Sequence, residues 1–235
     1  MRIPTGEVNL TDERSLDITG VGKLAKAIPQ KAWVQLVDTA CKTFREVVAP
    51  ITSLTGGIGR LIETKFDRLV DAEKVLAAET VSRAQEKVAG SGKKPAGRTK
   101  ATVFISAIEA SAKEADPVLH ELWTNLIAQE ILNGSVHPEF TKILASLSAE
   151  DAQLLAHIAE EQKKKSVSLL KALSSLTANI SILGISLKLA DLKGSNGTYI
   201  HEHLQRLGLV RESQEAWRLT LTGEAFIKSV SDSFE

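Results

Sequence analysis

The first long stretch of regular hydrophobic spacing begins near Pro29, a residue type that suits the first position of a helix. Apolar residues then recur at spacings that indicate one face of an amphipathic helix, namely Trp33, Leu36, Val37, Ala40, Cys41, Phe44, Val47 and Val48. Pro50 is expected to stop or kink this helix, because proline removes a backbone hydrogen bond. The spacing resumes at Ile51 and runs on through Leu76, which predicts further helix.

A second well-defined apolar stripe covers residues 119–132, and Asn133-Gly134 then indicates a helix C-terminus. A short helix is predicted to start at Pro138, since proline is favoured at a first helical position. Ser148 and Asp151 have the spacing of a capping box and therefore predict the start of the next helix.

The C-terminal part mixes helical and strand-like patterns. Residues 166–192 are predicted as a helix followed by a short strand. Thr198–Leu207 is predicted as a helix, and Leu209–Arg211 and Trp217–Leu221 are predicted to pair as a hairpin. Thr222 is expected to cap a last helix. This order of helix, Gly turn, hairpin and terminal helix is that of the second half of a winged helix.

The clearest break in the chain is Gly90–Gly97, where small, charged and helix-breaking residues together indicate a flexible linker. The predicted fold class is mainly α: a helical N-terminal region followed by a helical, winged-helix-like C-terminal region with a small β-hairpin. The predicted organisation is an N-terminal arm, a helical region, a basic flexible linker and a helical plus winged-helix-like domain, over residues 1–24, 25–90, 91–100 and 101–235.

Composition indicates a globular protein, since 43% of the 235 residues are hydrophobic and 25% are charged. The net charge of zero is unevenly spread: residues 101–162 carry 2 bases and 10 acids, whereas residues 91–100 carry four bases and no acid. Nucleic-acid binding would therefore have to use the linker or the C-terminal part. The single cysteine, Cys41, excludes an intramolecular disulfide and is interpreted as a small core residue. The first thirty residues lack the apolar stretch of a signal peptide, so a cytoplasmic location is expected.

Short motifs that suggest chemistry fail at the required spacing. Gly90–Lys94 lacks the glycine and the hydroxyl residue that a phosphate-binding loop needs at defined positions. His120-Glu121 opens like a helical zinc motif, but Thr124 stands where the second histidine belongs. His201 and His203 fall on different sides of a helix. We therefore expect no catalytic set, no metal site and no cofactor, and a protein that is not an enzyme.

Residues 47–59 form a run of 13 uncharged residues, shorter than the roughly 20 residues of a membrane span. One interpretation is a tight turn or close helix contact inside the fold. The alternative is an amphipathic segment within residues 47–70 that enters a membrane or oligomerises on activation. Its candidate residues are Ile51, Leu54, Ile58, Leu61 and Ile62.

The position of a recognition helix in the winged-helix-like part falls near Ser195–Arg206. The candidate contacts to nucleic acid or to a protein partner are Lys193, Asn196, Thr198, His201, Arg206, Arg211 and Arg218. This is a weak basic patch for a DNA reader, which usually presents several Arg, Lys, Asn or Gln side chains. A protein-binding or purely structural winged helix is therefore at least as well supported as DNA binding.

Several segments together resemble a known bacterial family. They are Leu122–Ala128, Val136–Phe140, Leu147–Ala152, Leu204–Val210 and Leu219–Gly223, with Ala27-Ile28-Pro29 as a family-like opening. Over roughly residues 25–230 the chain resembles the abortive-infection alpha (Abi-alpha) family. The resemblance implies a role in defence against phage and brings no assigned catalytic residues.

These observations lead to one functional hypothesis and two alternatives. The leading hypothesis is a non-enzymatic anti-phage protein that acts through a protein partner or self-association. In it, the N-terminal helices form the interaction or effector element and the winged-helix-like region forms the docking surface. The first alternative is a winged-helix nucleic-acid-binding regulator acting through residues 193–218 and the basic linker. The second is a membrane-active effector using residues 47–70.

Overall fold

The structure is a computed structural model that describes residues 29–55, 58–95, 99–163, 199–213 and 216–232. These residues form nine α-helices and one two-stranded antiparallel sheet, so the predicted mainly helical fold with a small hairpin is confirmed. The elements are α1 (Gln30–Thr55), α2 (Ile58–Asp67), α3 (Asp71–Gly90), α4 (Ala101–Ser111), α5 (Pro117–Asn133), α6 (Pro138–Ser146), α7 (Ala149–Lys163), α8 (Tyr199–Arg206), β1 (Val210–Ser213), β2 (Ala216–Leu219) and α9 (Leu221–Val230).

Helix α5 is the centre of the fold, and every residue from Val118 to Leu132 is buried. The Asp116 side chain begins it by accepting hydrogen bonds from the backbone N–H groups of Val118 and Leu119. Gly134 ends it in the left-handed conformation, with φ 59°, as the Asn133-Gly134 pair predicted. Because α3, α4, α6, α7 and α9 pack around it, α5 has no solvent-facing side.

The N-terminal helices pack on this centre in order. Helix α1 lies against α3, and α2 contacts both α1 and α4. Phe44 and Phe66 join α1 to α2 through stacked rings whose centroids are 3.7 Å apart. Pro50 does not stop the first helix, since α1 continues to Thr55, and a kink at Pro50, the other predicted outcome, stays a prediction. Proline removes one backbone hydrogen bond and its ring crowds the carbonyl of residue i−4, so it can either kink or break a helix.

One hydrophobic core contains residues that precede the segment 91–100 in the chain and residues that follow it. Phe44 and Phe66 from the N-terminal helices belong to the same buried cluster as Trp123 and Phe226. The division of the chain into an arm, a helical region, a linker and a C-terminal domain stays a prediction. The predicted arm, residues 1–24, and the whole of the ambiguous stretch 166–192 lie outside the described residues.

The C-terminal unit consists of α7, α8, the hairpin and α9. Strands β1 and β2 pair with Val210 opposite Leu219 and Arg211 opposite Arg218. The predicted hairpin is present, but it is shifted: β1 extends to Ser213, which leaves only residues 214 and 215 between the strands. The helix, Gly turn, hairpin and terminal helix thus follow in the predicted order, and assignment as a winged helix stays a prediction.

Two helix caps in this half differ in how well local pattern predicted them. The capping box is confirmed, since Ser148 N donates to Asp151 Oδ2 at 2.8 Å and Asp151 N donates to Ser148 Oγ at 3.1 Å. The predicted cap at Thr222 was wrong. Thr220 caps α9, because its Oγ1 accepts from Gly223 N at 3.0 Å while its own N–H donates to Leu209 O at 3.0 Å.

Candidate docking cleft

The predicted contact residues of the winged-helix-like part do not share one surface. Lys193, Asn196 and Thr198 lie outside the described residues. His201 is buried, with its ring 4.8 Å from that of Trp217, and burial lowers the pKa of its imidazole. The remaining three, Arg206, Arg211 and Arg218, are exposed.

Helix α8 presents little positive charge to solvent. Its exposed residues are Tyr199, Glu202, Gln205 and Arg206. His203 turns inward, where its Nδ1 lies 3.0 Å from Asp151 Oδ2 on α7. One acid thus opposes one base on the exposed side, which is a poor surface for reading a nucleic acid.

One face of the hairpin carries positive charge instead, while the exposed Glu212 lies on the other face. Arg211 and Arg218 are directly opposite one another in the strand register, and both are exposed. Like charges in such a pair are destabilising unless an anion offsets them. Neither side chain has an ion-pair partner among the described residues. The hairpin therefore carries a small cationic spot.

A cleft of about 750 Å³ opens between α6, the turn after α8 and the start of α9. Its lining residues are Ser135, His137, Glu139, Phe140, Ile143, Arg206, Leu207, Gly208, Leu221, Thr222 and Ala225. Its volume lies within the usual range of ligand-binding clefts. The cleft combines apolar and charged side chains in its lining.

Local sequence features build the two sides of this cleft. On one side Pro138 starts α6, and the His137 side chain caps it by accepting from Glu139 N at 3.2 Å through Nδ1. On the other side Gly208 adopts φ 72°, a conformation that favours glycine. The Thr220 hydroxyl donates a hydrogen bond to Gly208 O and so joins this turn to the start of α9.

The two sides carry opposite charges. Glu139 lies at the start of α6 and Arg206 at the end of α8, and both are exposed. Neither makes an ion pair within the described parts of the chain. Leu221, the first residue of α9, is 86% exposed at the edge, although its side chain is large and apolar. An uncompensated acid, an uncompensated base and exposed apolar surface therefore meet in one cleft.

Sequence pattern found only part of this site. Arg206 was a candidate contact, but Pro138 was interpreted only as a helix start and Leu221 as the end of a strand. His137 and Glu139 were noted within a family-like segment, without a binding role. The sequence did contain a clue to the cleft: the family-like segments Val136–Phe140, Leu204–Val210 and Leu219–Gly223 all contribute to it or adjoin its lining residues.

Away from the cleft lining, polar groups on α5 have partners on α3. His120 Nε2 lies 2.8 Å from Thr80 Oγ1, and burial is the main cause that lowers the pKa of this histidine. Glu121 forms ion pairs with Arg83 and with Lys87, the latter at 2.9 Å. These groups connect α5 to α3 and have partners of their own, so they belong to the scaffold.

Glu130 is the most deeply buried carboxylate described, with no exposed surface. It accepts hydrogen bonds from the backbone N–H groups of Lys100 and Val136. Burial is the main cause that raises the pKa of its carboxyl, although those N–H groups and the Lys100 charge lower it. Because Lys100 Nζ also donates to Val136 O at 2.9 Å, the last base of the predicted linker is held against the fold.

The predicted membrane or oligomer segment is split between two packed helices. The side chains of Ile51, Leu54 and Ile58 lie outside the described ones. Leu61 is 48% exposed, whereas Ile62 is 2% exposed and belongs to the core. Ile62 would have to leave that core before it could reach lipid.

No group of three or more potential metal ligands occurs among the residues placed in the structure. Across those same residues, no helix has the length and apolar content needed to cross a bilayer.

Fold and cleft together define a mainly helical protein with a C-terminal helix–hairpin–helix unit and an open cleft at its edge. Comparison with protein families gives a match to the family model Abortive infection alpha over residues 61–230. The match covers more than half of the chain, so the protein belongs to the Abortive infection alpha family, which implies abortive-infection-type defence. It begins after the family-like opening Ala27-Ile28-Pro29. No curated protein and no solved structure matched the chain.

Proposed function

We propose that the protein takes part in anti-phage defence as a non-enzymatic component that docks onto a protein partner through the cleft between α6 and α9. Family membership supports the defence role. The observation that carries the docking role is the cleft itself, where the uncompensated Arg206 adjoins exposed apolar surface at Leu221. Arginine is enriched at protein interfaces, and the fully buried core of an interface is more apolar than the rest of the protein surface.

The N-terminal helices are the proposed effector or self-association element. Apolar side chains remain exposed there, with Val34 at 51%, Leu61 at 48% and Val70 at 62%. Single exposed apolar residues are common on protein surfaces, so this region supports the proposal less strongly than the cleft does.

The test of the defence role is phage plating on bacteria that express the protein at a native-like level. Culture survival is scored at high and low multiplicity of infection. Abortive infection predicts protection at low multiplicity and collapse of the culture at high multiplicity. Equal plating with and without the protein, across a broad phage panel, would contradict the defence role.

The test of docking uses matched charge reversals in the same assay. Arg206→Glu is expected to lower protection by about tenfold or more, because a central arginine of an interface is often a dominant contact. Lys113→Glu, an exposed reversal outside the cleft lining, is the control and should protect normally. Equal protection by the two variants would argue against docking through the cleft.

A second candidate function is nucleic-acid binding through the hairpin, supported by the cross-strand pair Arg211 and Arg218. Binding of a labelled DNA duplex and a labelled single strand would be titrated against salt. Each phosphate contact contributes about −0.9 to the logarithmic salt slope on duplex DNA. Arg211→Ala with Arg218→Ala should flatten that slope by about two contacts, and no binding at low salt would exclude this candidate.

A further inference from the structure

We infer that the cleft recognises a short segment of a partner protein that presents one large apolar side chain next to a carboxylate. This inference rests on the proposed docking function and adds the chemistry of the partner. It follows from three properties of the described residues that line the cleft: an apolar floor, a cation without an ion-pair partner among the described residues on one side, and a carboxylate without one on the other.

The floor is apolar and held in place from below. Phe140 and Ile143 are almost fully buried, and their remaining surface lines the cleft together with Leu207. Edge-to-face packing fixes the Phe140 ring, 5.6 Å from Phe226 between centroids. A volume of about 750 Å³ accommodates one large apolar side chain with its flanking backbone.

The charges on the two sides give the bound segment a direction. Arg206 offers a guanidinium with no acidic partner in the described chain, a group that pairs well with carboxylates. Glu139 on the opposite side repels a carboxylate and would accept a basic group. A partner acid is therefore placed at the α8 side of the cleft, with its apolar neighbour over Phe140.

The same charges argue against the other classes of occupant. A nucleic acid would bring phosphates past Glu139 and would leave the apolar floor unused. A lipid surface is flat, whereas the apolar groups of this site lie mostly at the bottom of a concave cleft. Protein segments supply the apolar anchor and the flanking charge together.

The experiment uses the purified full chain and three pools of capped, fluorescently labelled dodecapeptides. Every peptide has a central Leu, Phe or Trp. The residue that follows it is Asp in the first pool, Lys in the second and Ser in the third, and the other positions are randomised among small polar residues. Fluorescence polarisation measures binding. We expect the Asp pool to bind at least about tenfold more tightly than the Lys pool, and Arg206→Glu to reverse that order.

Two further variants separate cleft binding from general effects. Ala225 is exposed on α9, so Ala225→Lys should leave the helix intact while its side chain fills the cleft. It should abolish binding of all three pools, and Lys113→Glu should change none of them. Circular dichroism and the urea midpoint establish that each variant is folded. The inference is overturned if the three pools bind equally or if binding survives Ala225→Lys. It is also overturned if duplex DNA or lipid vesicles displace the bound peptide.

Phage plating distinguishes failure of this inference from failure of the proposed function. If the wild-type chain protects and Arg206→Glu and Ala225→Lys protect equally well, the cleft inference is wrong while the defence role stands. If the wild-type chain never protects but binds the Asp pool in an Arg206-dependent way, the recognition chemistry stands and the proposed function is wrong.

Discussion

Lys87 on α3 and Asp232 just beyond α9 form an ion pair, with 2.8 Å between Nζ and Oδ2. They lie 145 positions apart in the chain. The same ammonium is 2.9 Å from Glu121 Oε1 on α5. Burial is the largest single influence on Lys87 and lowers its pKa, but hydrogen bonds and charges from Asp232 and Glu121 together raise that pKa above its ordinary 10.5. One side chain therefore links three helices that meet in the core.

Replacing this link should destabilise the fold. Lys87→Met is expected to lower the free energy of unfolding by about 1–3 kcal/mol, because two largely buried carboxylates lose a hydrogen-bonded partner. Urea denaturation followed by circular dichroism measures the change. A double-mutant cycle with Asp232→Asn isolates the pair, and additivity within about 0.3–0.5 kcal/mol would contradict a direct coupling.

The buried carboxylate of Glu130 gives a second prediction. Glutamine keeps the shape of the side chain but has one acceptor oxygen for the two N–H groups of Lys100 and Val136. Glu130→Gln should therefore lower the free energy of unfolding by about 1–3 kcal/mol. Glu86→Gln, at an exposed position on α3, is the control and should change it little.

The pH dependence of that loss follows from the raised pKa of Glu130. A carboxyl with a raised pKa in the folded state contributes its stability below the ordinary value of 4.5 and loses it as pH rises through the folded value. Glutamine does not titrate. The difference between wild type and Glu130→Gln should thus be largest near pH 4 and shrink toward neutral pH, and a difference that grows with pH would refute this assignment.

Two buried histidines predict sensitivity to mild acid. Burial is the main cause that lowers the pKa of both His120 and His201. Each therefore contributes stability that is present above pH 6.5 and is lost as pH falls through the folded value. The free energy of unfolding, measured by urea titrations between pH 7.5 and 5, should fall as pH falls, by at most about 1.4 kcal/mol per pH unit for each histidine. The variant His120→Gln with His201→Gln should show a shallower slope, and an unchanged slope would exclude these two groups as its cause.

Gly223 is predicted to tolerate no side chain. A Cβ at this position would lie 2.0 Å from the backbone oxygen of Leu209, so α9 would have to move away from the turn that forms the cleft. Gly223→Ala should cost about 1–3 kcal/mol or more of unfolding free energy. Gly90 is the matched control, because a Cβ there has no heavy atom within 4 Å. Equal thermal midpoints for the two variants would show that α9 can move without a measurable loss of stability, and would contradict the prediction.

Local signals in the sequence predicted much of the helical framework. Pro138 starts α6, Gly134 ends α5, and Ser148 and Asp151 cap α7 as expected. Each of these features depends on contacts within a few residues along the chain, which explains why spacing and residue type were enough. Where two possible cap residues lie close together, as Thr220 and Thr222 do, residue type alone led to the wrong one.

Burial was harder to predict, because it depends on what packs against an element. The apolar stripe of 119–132 indicated one buried face, but five neighbouring helices enclose α5 on all sides. For the same reason the sequence predicts His201 as a surface contact, whereas packing against Trp217 places it inside the fold. Amphipathic spacing shows that a helix has a buried side and does not show how much of its circumference is covered.

The helical class, the end of α5, the starts of α6 and α7, the presence of a hairpin and the family were all predictable from residue types and their spacing. The side chains that share the cleft were not, since Glu139 and Arg206 are brought together by the packing of segments far apart in the chain. The tertiary structure also decided that Lys87 meets Asp232. The physical reason is that secondary structure follows from hydrogen bonds and propensities between near neighbours, whereas a binding surface depends on how distant elements pack around a common core.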